Sequence, residues 1–212
     1  MTAGWKLMEL DDFGAAVRSA AGSGPGPRVV AVDGHSSSGK STLSTQLVSV
    51  LGAAAVVHTD DLAWHHSAFD WADLLVTGVL APLRAGQDVS YQPPGWAARG
   101  RTGAVEVPGA IDWLVVEGVG ASRLALAGRL DVTVWIETDA ALRRSRDAAR
   151  VAAGEISPED YASWMREENA FLAADRPWTR ASFVVSGSGR LGAGPKQVVV
   201  ADGRRSPGQS GG

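Results

Sequence analysis

The apolar positions of this chain fall into two kinds of segment. Short valine-rich runs bounded by turn residues are typical of buried strands. We predict five such strands, at 28–33, 54–59, 112–118, 131–138 and 182–187. Longer segments place their apolar residues three and four positions apart, as on one face of a helix. We predict these helices at 7–21, 41–51, 71–86, 139–153 and 157–174.

The order of these elements predicts the fold class. Strands that alternate with helices favour an α/β fold, in which a parallel five-stranded sheet carries helices on both faces. Residues 88–109 do not fit this alternation, because two short β-type runs, "VSY" and "AVEV", flank a bend rich in proline and glycine. We expect a β-hairpin there that protrudes from the main sheet.

Glycine and proline mark the domain limits. The segment "GSGPGP" at 22–27 ends the first helix, so residues 1–27 are predicted to be a helical prefix and linker. Residues 28–187 form the predicted domain. Residues 188–212 are rich in glycine, serine and proline, and we expect most of this tail to be mobile, although 196–200 has the pattern of a further strand.

The composition of the chain excludes several classes of function. A chain of 212 residues with a net charge of −3 has room for one well-buried domain and no overall attraction for nucleic acid. No apolar run is long enough to span a bilayer and no secretion signal is evident, so we expect a cytoplasmic protein without a membrane partner. The absence of cysteine excludes disulfides and a thiolate nucleophile. The oligomeric state stays open, a homo-oligomer included.

A glycine-rich loop separates the first predicted strand of the sheet from its helix. Gly34 is followed after four residues by Gly39, Lys40 and Ser41, the pattern of a phosphate-binding loop. Glycines let the backbone curl so that amide hydrogens point at phosphate oxygens, while the lysine reaches the outer phosphates and the serine hydroxyl reaches magnesium. A flexible linker is the alternative, but a linker has no reason to lie between a buried strand and an amphipathic helix. The predicted nucleotide-binding residues are Gly34, His35, Ser36, Ser37, Ser38, Gly39, Lys40, Ser41 and Thr42.

Three carboxylates follow the predicted strands. Asp60 and Asp61 come after the second strand, and Glu117 closes the third. The carboxyl ends of parallel strands share one edge of the sheet, so all three can face the loop. A carboxylate there can accept a hydroxyl proton or contribute to a magnesium site, and we predict Asp60 as the base and Ser41, Glu117 and Asp60 as metal ligands. A helix cap is the alternative for both aspartates, and position alone does not decide which of them is the base.

Arginines line one face of a predicted helix. Arg143, Arg146 and Arg150 are three and four residues apart, so their guanidinium groups can meet phosphate oxygens from a lid. We predict Arg143 and Arg146 as catalytic, together with Lys40 of the loop, and Arg150 as nucleotide-binding. A solvated surface helix is the alternative.

With these motifs the chain resembles the uridine kinase-like family of P-loop kinases. The likeness covers about residues 28–187 and includes "HHSAFDWADLL", "VLAPLRAGQDVSY", "VVEG" and "RRSRD". It implies the P-loop NTPase fold, ATP and Mg²⁺ as cofactors, and an acceptor pocket. Asp60 would be the base, Asp70 would bind sugar hydroxyls, Phe69 and Tyr91 would line the pocket, and Arg143 and Arg146 would be lid residues.

Other interpretations of the acceptor residues stay open. Asp70 can cap a helix, Phe69 can be core, and Tyr91 can be a hairpin contact. Trp96 stands where nucleoside-specific relatives present a histidine; it could stack on a ring but cannot accept a hydrogen bond. Arg99 can touch an anionic substrate or lie in solvent.

The sequence thus predicts an enzyme, an ATP-dependent kinase that phosphorylates a nucleoside or sugar-like alcohol. Asp61, Phe69, Asp70, Tyr91, Trp96 and Arg99 are its predicted acceptor residues. A phosphotransferase for a specialised metabolite such as an antibiotic alcohol, and a non-catalytic nucleotide-binding module, are the alternatives.

Overall fold

A computed structural model describes residues 4–189, 191 and 193–201 of the chain. These residues form nine strands and eight α-helices. They are β1 (Trp5–Glu9), α1 (Leu10–Ala21), β2 (Arg28–Gly34), α2 (Lys40–Leu51), β3 (Ala54–His58), α3 (Thr59–Ala63), α4 (Ala72–Leu75), α5 (Ala81–Arg84), β4 (Val89–Tyr91), α6 (Pro94–Ala98), β5 (Val105–Val107), β6 (Trp113–Glu117), β7 (Val132–Glu137), α7 (Ala140–Ala152), α8 (Pro158–Asp175), β8 (Phe183–Ser186) and β9 (Gln197–Ala201). Short 3₁₀ helices cover Leu124–Arg129 and Pro177–Arg180.

The main sheet has a parallel centre. Its strand order is β1-β9-β8-β7-β2-β6-β3, and the five strands from β8 to β3 pair in parallel. These five match the predicted strands. The α/β class with a mostly parallel sheet and helices is therefore confirmed. Among the described residues, no helix is long and apolar enough to cross a membrane.

The predicted count of five strands is wrong, because β9 and β1 extend the sheet on the β8 side. Strand β9 pairs antiparallel with β8 and β1 pairs antiparallel with β9, in the register Trp5↔Ala201 to Glu9↔Gln197. Residues 5–9 are a strand and not part of the predicted helical prefix, whereas β9 confirms the strand pattern noted at 196–200. The pairing of β1 with β9 joins segments that lie far apart in the sequence, and it satisfies the backbone groups on their facing edges. Residues 202–212 of the predicted tail lie outside the described residues.

Helices pack on both faces of the sheet because the buried side chains of β2 alternate. Val29 and Ala31 face a core around Trp71 and Leu75, whereas Val30 and Val32 face a core around Phe13 and Leu47 from the two N-terminal helices. This alternation is the two-residue period of a strand that is covered on both sides.

The predicted helix at 71–86 forms, with one irregular turn. Residues Val76–Leu80 between α4 and α5 are π-helical. Gly78 lies in this turn, and the Tyr91 ring packs so closely that an added Cβ would lie 2.5 Å from it. Gly78 therefore permits a close contact between helix and hairpin.

The predicted hairpin is present as the antiparallel pair β4 and β5, with α6 between the two strands. It is separate from the main sheet, as expected, but it does not stand free. Val89, Val105 and Val107 are buried in the same core as Trp71. The expectation of a protruding hairpin is corrected on this point, because its apolar face is needed to cover the core.

Candidate active site

The phosphate loop connects β2 with α2, as predicted. Gly34 and Gly39 have φ values of 155° and 100°, which favour glycine, and a Cβ on Gly34 would lie 2.9 Å from the carbonyl oxygen of Ile136. Lys40 begins α2 and is largely buried, and its Nζ donates to the carbonyl oxygen of His35 at 2.8 Å. The loop therefore curls around its own lysine at the start of a helix, as a phosphate site requires.

A cleft of about 1180 Å³ opens over this loop. Its walls include the loop and first turns of α2, the carboxyl ends of β3 and β6, the helices α7 and α8, and parts of β7, β8 and β9 with the segment between the last two. Residues 36–43 line it continuously, and Asp60, Asp61 and Glu117 face the same space. The cleft thus joins the predicted loop to the predicted acids.

Asp60 differs from an ordinary exposed aspartate in the pKa of its side chain. Its side chain is open to the cleft, but the surrounding protein partly desolvates it and thereby raises the pKa of Asp60 above 3.8. The nearby Lys40 charge opposes this shift, while the carboxylate of Glu117 adds to it. A carboxylate with a raised pKa beside a lysine is suited to accept a proton.

Asp61 has a different setting from its neighbour. Its Oδ1 accepts from Arg101 Nη2 at 2.8 Å, and its carbonyl oxygen accepts from Trp96 Nε1 at 2.7 Å. The Arg101 guanidinium also lies over the Trp96 ring, 3.4 Å from its centroid. Asp61 therefore ties α3 to the hairpin through an ion pair with Arg101, and the role of Asp60 as the base stays a prediction.

Two of the three predicted magnesium ligands, Ser41 and Glu117, are in contact, whereas Asp60 lines the same cleft without a hydrogen bond to either. The Oε2 of Glu117 accepts from Ser41 Oγ at 3.3 Å and lies 2.6 Å from Nδ1 of His58. The hydrogen bond with Glu117 raises the pKa of His58. No group of three or more His, Asp or Glu side chains that could hold a metal occurs in the described part of the chain. Ser41 and Glu117 supply two oxygen donors of the kind that Mg²⁺ prefers, so these two residues would hold the ion.

The arginine helix lies over the loop. Arg146 donates from Nη1 to the carbonyl oxygen of Ser37 at 2.9 Å and from Nη2 to that of Gly187 at 3.1 Å. Arg150 lines the cleft in an ion pair with Glu155, and Arg143 is half-buried and outside the cleft lining. The roles of the three arginines in phosphate binding stay predictions.

Five of the six predicted acceptor residues lie outside the lining of this cleft, which includes only Asp61 of the set. Phe69 stacks on Phe171 of α8, with ring centroids 4.4 Å apart. Tyr91 packs on the helical turn at Gly78, while Asp70 and Arg99 are exposed. Their roles in acceptor binding stay predictions.

Trp96 has a setting that the sequence did not indicate. It is only 5 % exposed, its indole N–H is used by Asp61, and Arg101 covers its ring. The expectation of a ring free to stack on an acceptor is corrected, because the fold uses this side chain as core between hairpin and strand.

Several residues of the site were missed by the sequence analysis. Asp33 is fully buried at the end of β2 and accepts hydrogen bonds from the amides of Gly34, Gly120 and Ser122 and from the Ser122 hydroxyl. Burial raises the pKa of Asp33, and these bonds oppose the shift. It fixes the segment after β6 to the phosphate loop.

Helix α8 contributes the other missed residues. Tyr161 and Trp164 line the cleft, and Glu168 contacts the loop from behind. The residues Tyr161, Trp164 and Glu168 are three and four positions apart, so one face of α8 meets the loop. That spacing was visible in the sequence, but their partners are far away along the chain and were not.

The described residues thus form a mostly parallel sheet with a glycine-rich loop between a central strand and a helix, acids at the neighbouring strand ends and an arginine-bearing helix above the loop. Comparison with solved structures finds this fold in P-loop kinases of the uridine kinase-like type. The chain is similar to a possible uridine kinase from Bacillus stearothermophilus, with 18% identity and a TM-score of 0.55 over 82% of this chain and 96% of that one. It is also similar to a candidate fructose transport system kinase from Silicibacter sp. TM1040, with 24% identity and a TM-score of 0.50 over 80% of this chain and 93% of that one. No family model and no curated protein matches the sequence.

Proposed function

We propose that this protein is an ATP-dependent, magnesium-requiring kinase that transfers the γ-phosphoryl group to a hydroxyl of a small nucleoside-like or sugar-like alcohol. The observation that carries the proposal is that Lys40 and Asp60 face one cleft, close enough for the lysine charge to oppose the rise in the pKa of Asp60. Phosphoryl transfer depends on positioning and on charge stabilisation around such a pair.

Different residues of the cleft bind the phosphates, bind the metal and accept the proton in this proposal. The loop amides and Lys40 hold the phosphates, with the positive end of α2 behind them. Ser41 and Glu117 would hold magnesium, which would supply positive charge to offset the negative charge of the phosphates. The oxygen of the acceptor hydroxyl attacks the γ-phosphorus, and the bond from that phosphorus to the bridging oxygen of ATP breaks. Asp60 accepts the proton that the hydroxyl loses.

The acceptor is proposed only as a class. The names of the two similar structures point to a nucleoside in one case and to a sugar in the other. A neutral polyol suits a cleft whose acceptor side carries Asp60, Asp61 and Glu117, because these carboxylates can accept hydrogen bonds from hydroxyl groups. An acceptor among specialised metabolites remains the second candidate, since Trp96 is packed into the core and cannot take the place of a base-reading histidine.

One assay tests the proposal directly. The protein is incubated with ATP, Mg²⁺ and a mixed panel of ribosides, free sugars and unrelated alcohols, and mass spectrometry detects an added phosphoryl group. We expect a phosphorylated riboside or sugar. A product only among unrelated alcohols would favour the second candidate, and nucleotide binding with an inert panel would favour a non-catalytic module.

The pH dependence gives a further prediction. The base must be ionised to accept a proton, and the pKa of Asp60 is raised. We therefore expect kcat/KM for ATP to fall as the pH is lowered through a value above the 3.8 of an ordinary aspartate. Rates measured across acidic pH, over the range in which circular dichroism shows a folded protein, check this. A profile flat down to pH 3.8 would remove Asp60 from the role.

A further inference from the structure

A buried carboxylate lies directly behind the phosphate loop. Glu168 of α8 is 0 % exposed and does not line the cleft. Its oxygens accept from the Ser36 amide at 3.2 and 3.3 Å and from the Ser36 hydroxyl at 2.5 Å. His35 Nδ1 lies 2.8 Å from Oε1, and Trp164 Nε1 donates to Oε2 at 2.9 Å. One carboxylate therefore collects the donors of two successive loop residues.

This cluster is held in an ionised form. Burial alone would raise the pKa of Glu168, but the hydrogen bonds from His35 and Ser36 lower it to about 2. An ionised carboxylate can only accept hydrogen bonds, so His35 Nδ1 carries the hydrogen that lies between them. A buried charge is tolerated when donors surround it, and removal of the charge leaves those donors unsatisfied.

The location is unexpected for a nucleotide site. A negative charge next to a loop that binds phosphates repels them, so a carboxylate is costly there unless it serves another purpose. Glu168 does not stand in for a phosphate, because it faces away from the cleft. It contacts the loop at His35 and Ser36, the same part of the loop whose His35 carbonyl oxygen accepts from Lys40 Nζ at 2.8 Å.

Helix α7 contacts the following loop residue, Ser37, in a similar way. Ser37 Oγ donates to Asp147 Oδ1 at 2.5 Å, and the Ser37 carbonyl oxygen accepts from Arg146 Nη1. Tyr161 Oη also donates to Asp147 at 3.2 Å. Side chains of α7 and α8 thus bind three successive loop residues, His35, Ser36 and Ser37. Of the two carboxylates involved, Glu168 of α8 is more deeply buried than Asp147 of α7.

We propose that Glu168 is a positioning residue, which fixes the His35–Ser36 half of the phosphate loop to α8 and so keeps the loop curled before a nucleotide arrives. Preorganisation of this kind increases affinity, because less conformational entropy is lost on binding. It also fixes α8, so that Trp164 and Tyr161 stay at the wall of the cleft. The proposal rests on the proposed nucleotide site and adds a residue to it.

The test compares Glu168→Gln with the wild type. The variant keeps the size and one acceptor oxygen but removes the charge. We expect the Kd for ADP, measured by calorimetry, to rise about ten- to hundredfold, as for the loss of hydrogen bonds to a charged group. The KM for ATP should rise by a similar factor, while kcat at saturating ATP falls by less than about threefold, because the chemical groups are untouched.

Two controls separate positioning from stability and from charge. Leu172→Val changes a buried residue on the same helix, and it should lower the Tm by a few degrees without a change in ADP affinity. Glu167→Gln makes the same charge change at the exposed neighbouring position and should change neither quantity.

Ser36→Ala keeps the carboxylate and removes one of its donors, so it should weaken ADP binding even if Glu168→Gln does not fold.

Each possible result either supports or overturns the positioning role of Glu168. If the wild type binds no ADP or ATP, the proposed function fails and this inference with it. If the wild type binds ADP and a folded Glu168→Gln binds it equally well, or if Glu168→Gln does not fold and Ser36→Ala binds it equally well, the positioning role alone is overturned. A loss of affinity in Leu172→Val that matches the loss in Glu168→Gln would also overturn it, because general loosening of α8 would then explain the effect.

Discussion

Asp60→Asn is expected to lower kcat by about a hundred- to ten-thousandfold, the range found when a general base is lost, while leaving nucleotide affinity nearly intact. The asparagine has the same shape as the aspartate and keeps an acceptor oxygen in the cleft, so it can still receive a hydrogen bond. What it loses is the ability to take a proton from the acceptor. Single-turnover phosphoryl transfer and ADP calorimetry on the same preparation check both parts.

Asp61→Asn is the matched control for this change. It removes the same charge one residue further on, where the carboxylate is paired with Arg101 and tied to the hairpin. We expect a drop in kcat smaller than about tenfold, because a half-exposed ion pair contributes little and the base is untouched. If Asp61→Asn is the more damaging of the two substitutions, the roles of the two aspartates are exchanged.

Lys40→Met is expected to lower kcat by about a hundred- to thousandfold, as for the loss of a preorganised donor to developing charge. It should also weaken ATP binding, since the amine is the cation at the centre of the loop. Methionine fills a similar volume, so the largely buried site can keep its packing. Steady-state kinetics with ATP, together with the Tm in the presence and absence of ADP, measure the effect.

A second consequence links Lys40 to the base. The lysine charge holds down the pKa of Asp60, so its removal should raise that pKa further and move the acidic limb of the residual kcat/KM profile to higher pH. Lys6→Met is the control, because Lys6 is an exposed lysine on β1, at the edge of the sheet. Wild-type kinetics in Lys40→Met would contradict the proposed function.

Local pattern was sufficient for the core of the fold. The valine runs at β2, β3, β6, β7 and β8 alternate with helical segments, and this order predicts parallel strands with helices on both faces. The loop between β2 and α2 was equally visible, because its two glycines and its lysine all lie within residues 34–40. A parallel sheet then brings Asp60 and Glu117 to the loop, since all the strands end at one edge.

Other features were misread for reasons that are also physical. Trp96 has the composition of a binding residue, but aromatic side chains serve a core equally well, and only its contacts with Asp61 and Arg101 decide between the two. The partner of strand β1 is β9, which lies far from it in the sequence, so no local pattern shows this pairing. The pattern at 196–200 indicated a further strand, but residues 5–9 were read as part of a helical prefix.

The sequence by itself determined the phosphate loop, the central parallel strands and the acids at their ends, because each of these follows from residues close together in the chain or from the geometry of a parallel sheet. Only the tertiary structure decided which residues support that loop. Glu168 lies 132 positions after Ser36, and no periodicity or motif connects the two. Their contact exists because α8 packs across the loop, where a buried charge must find its donors or be excluded.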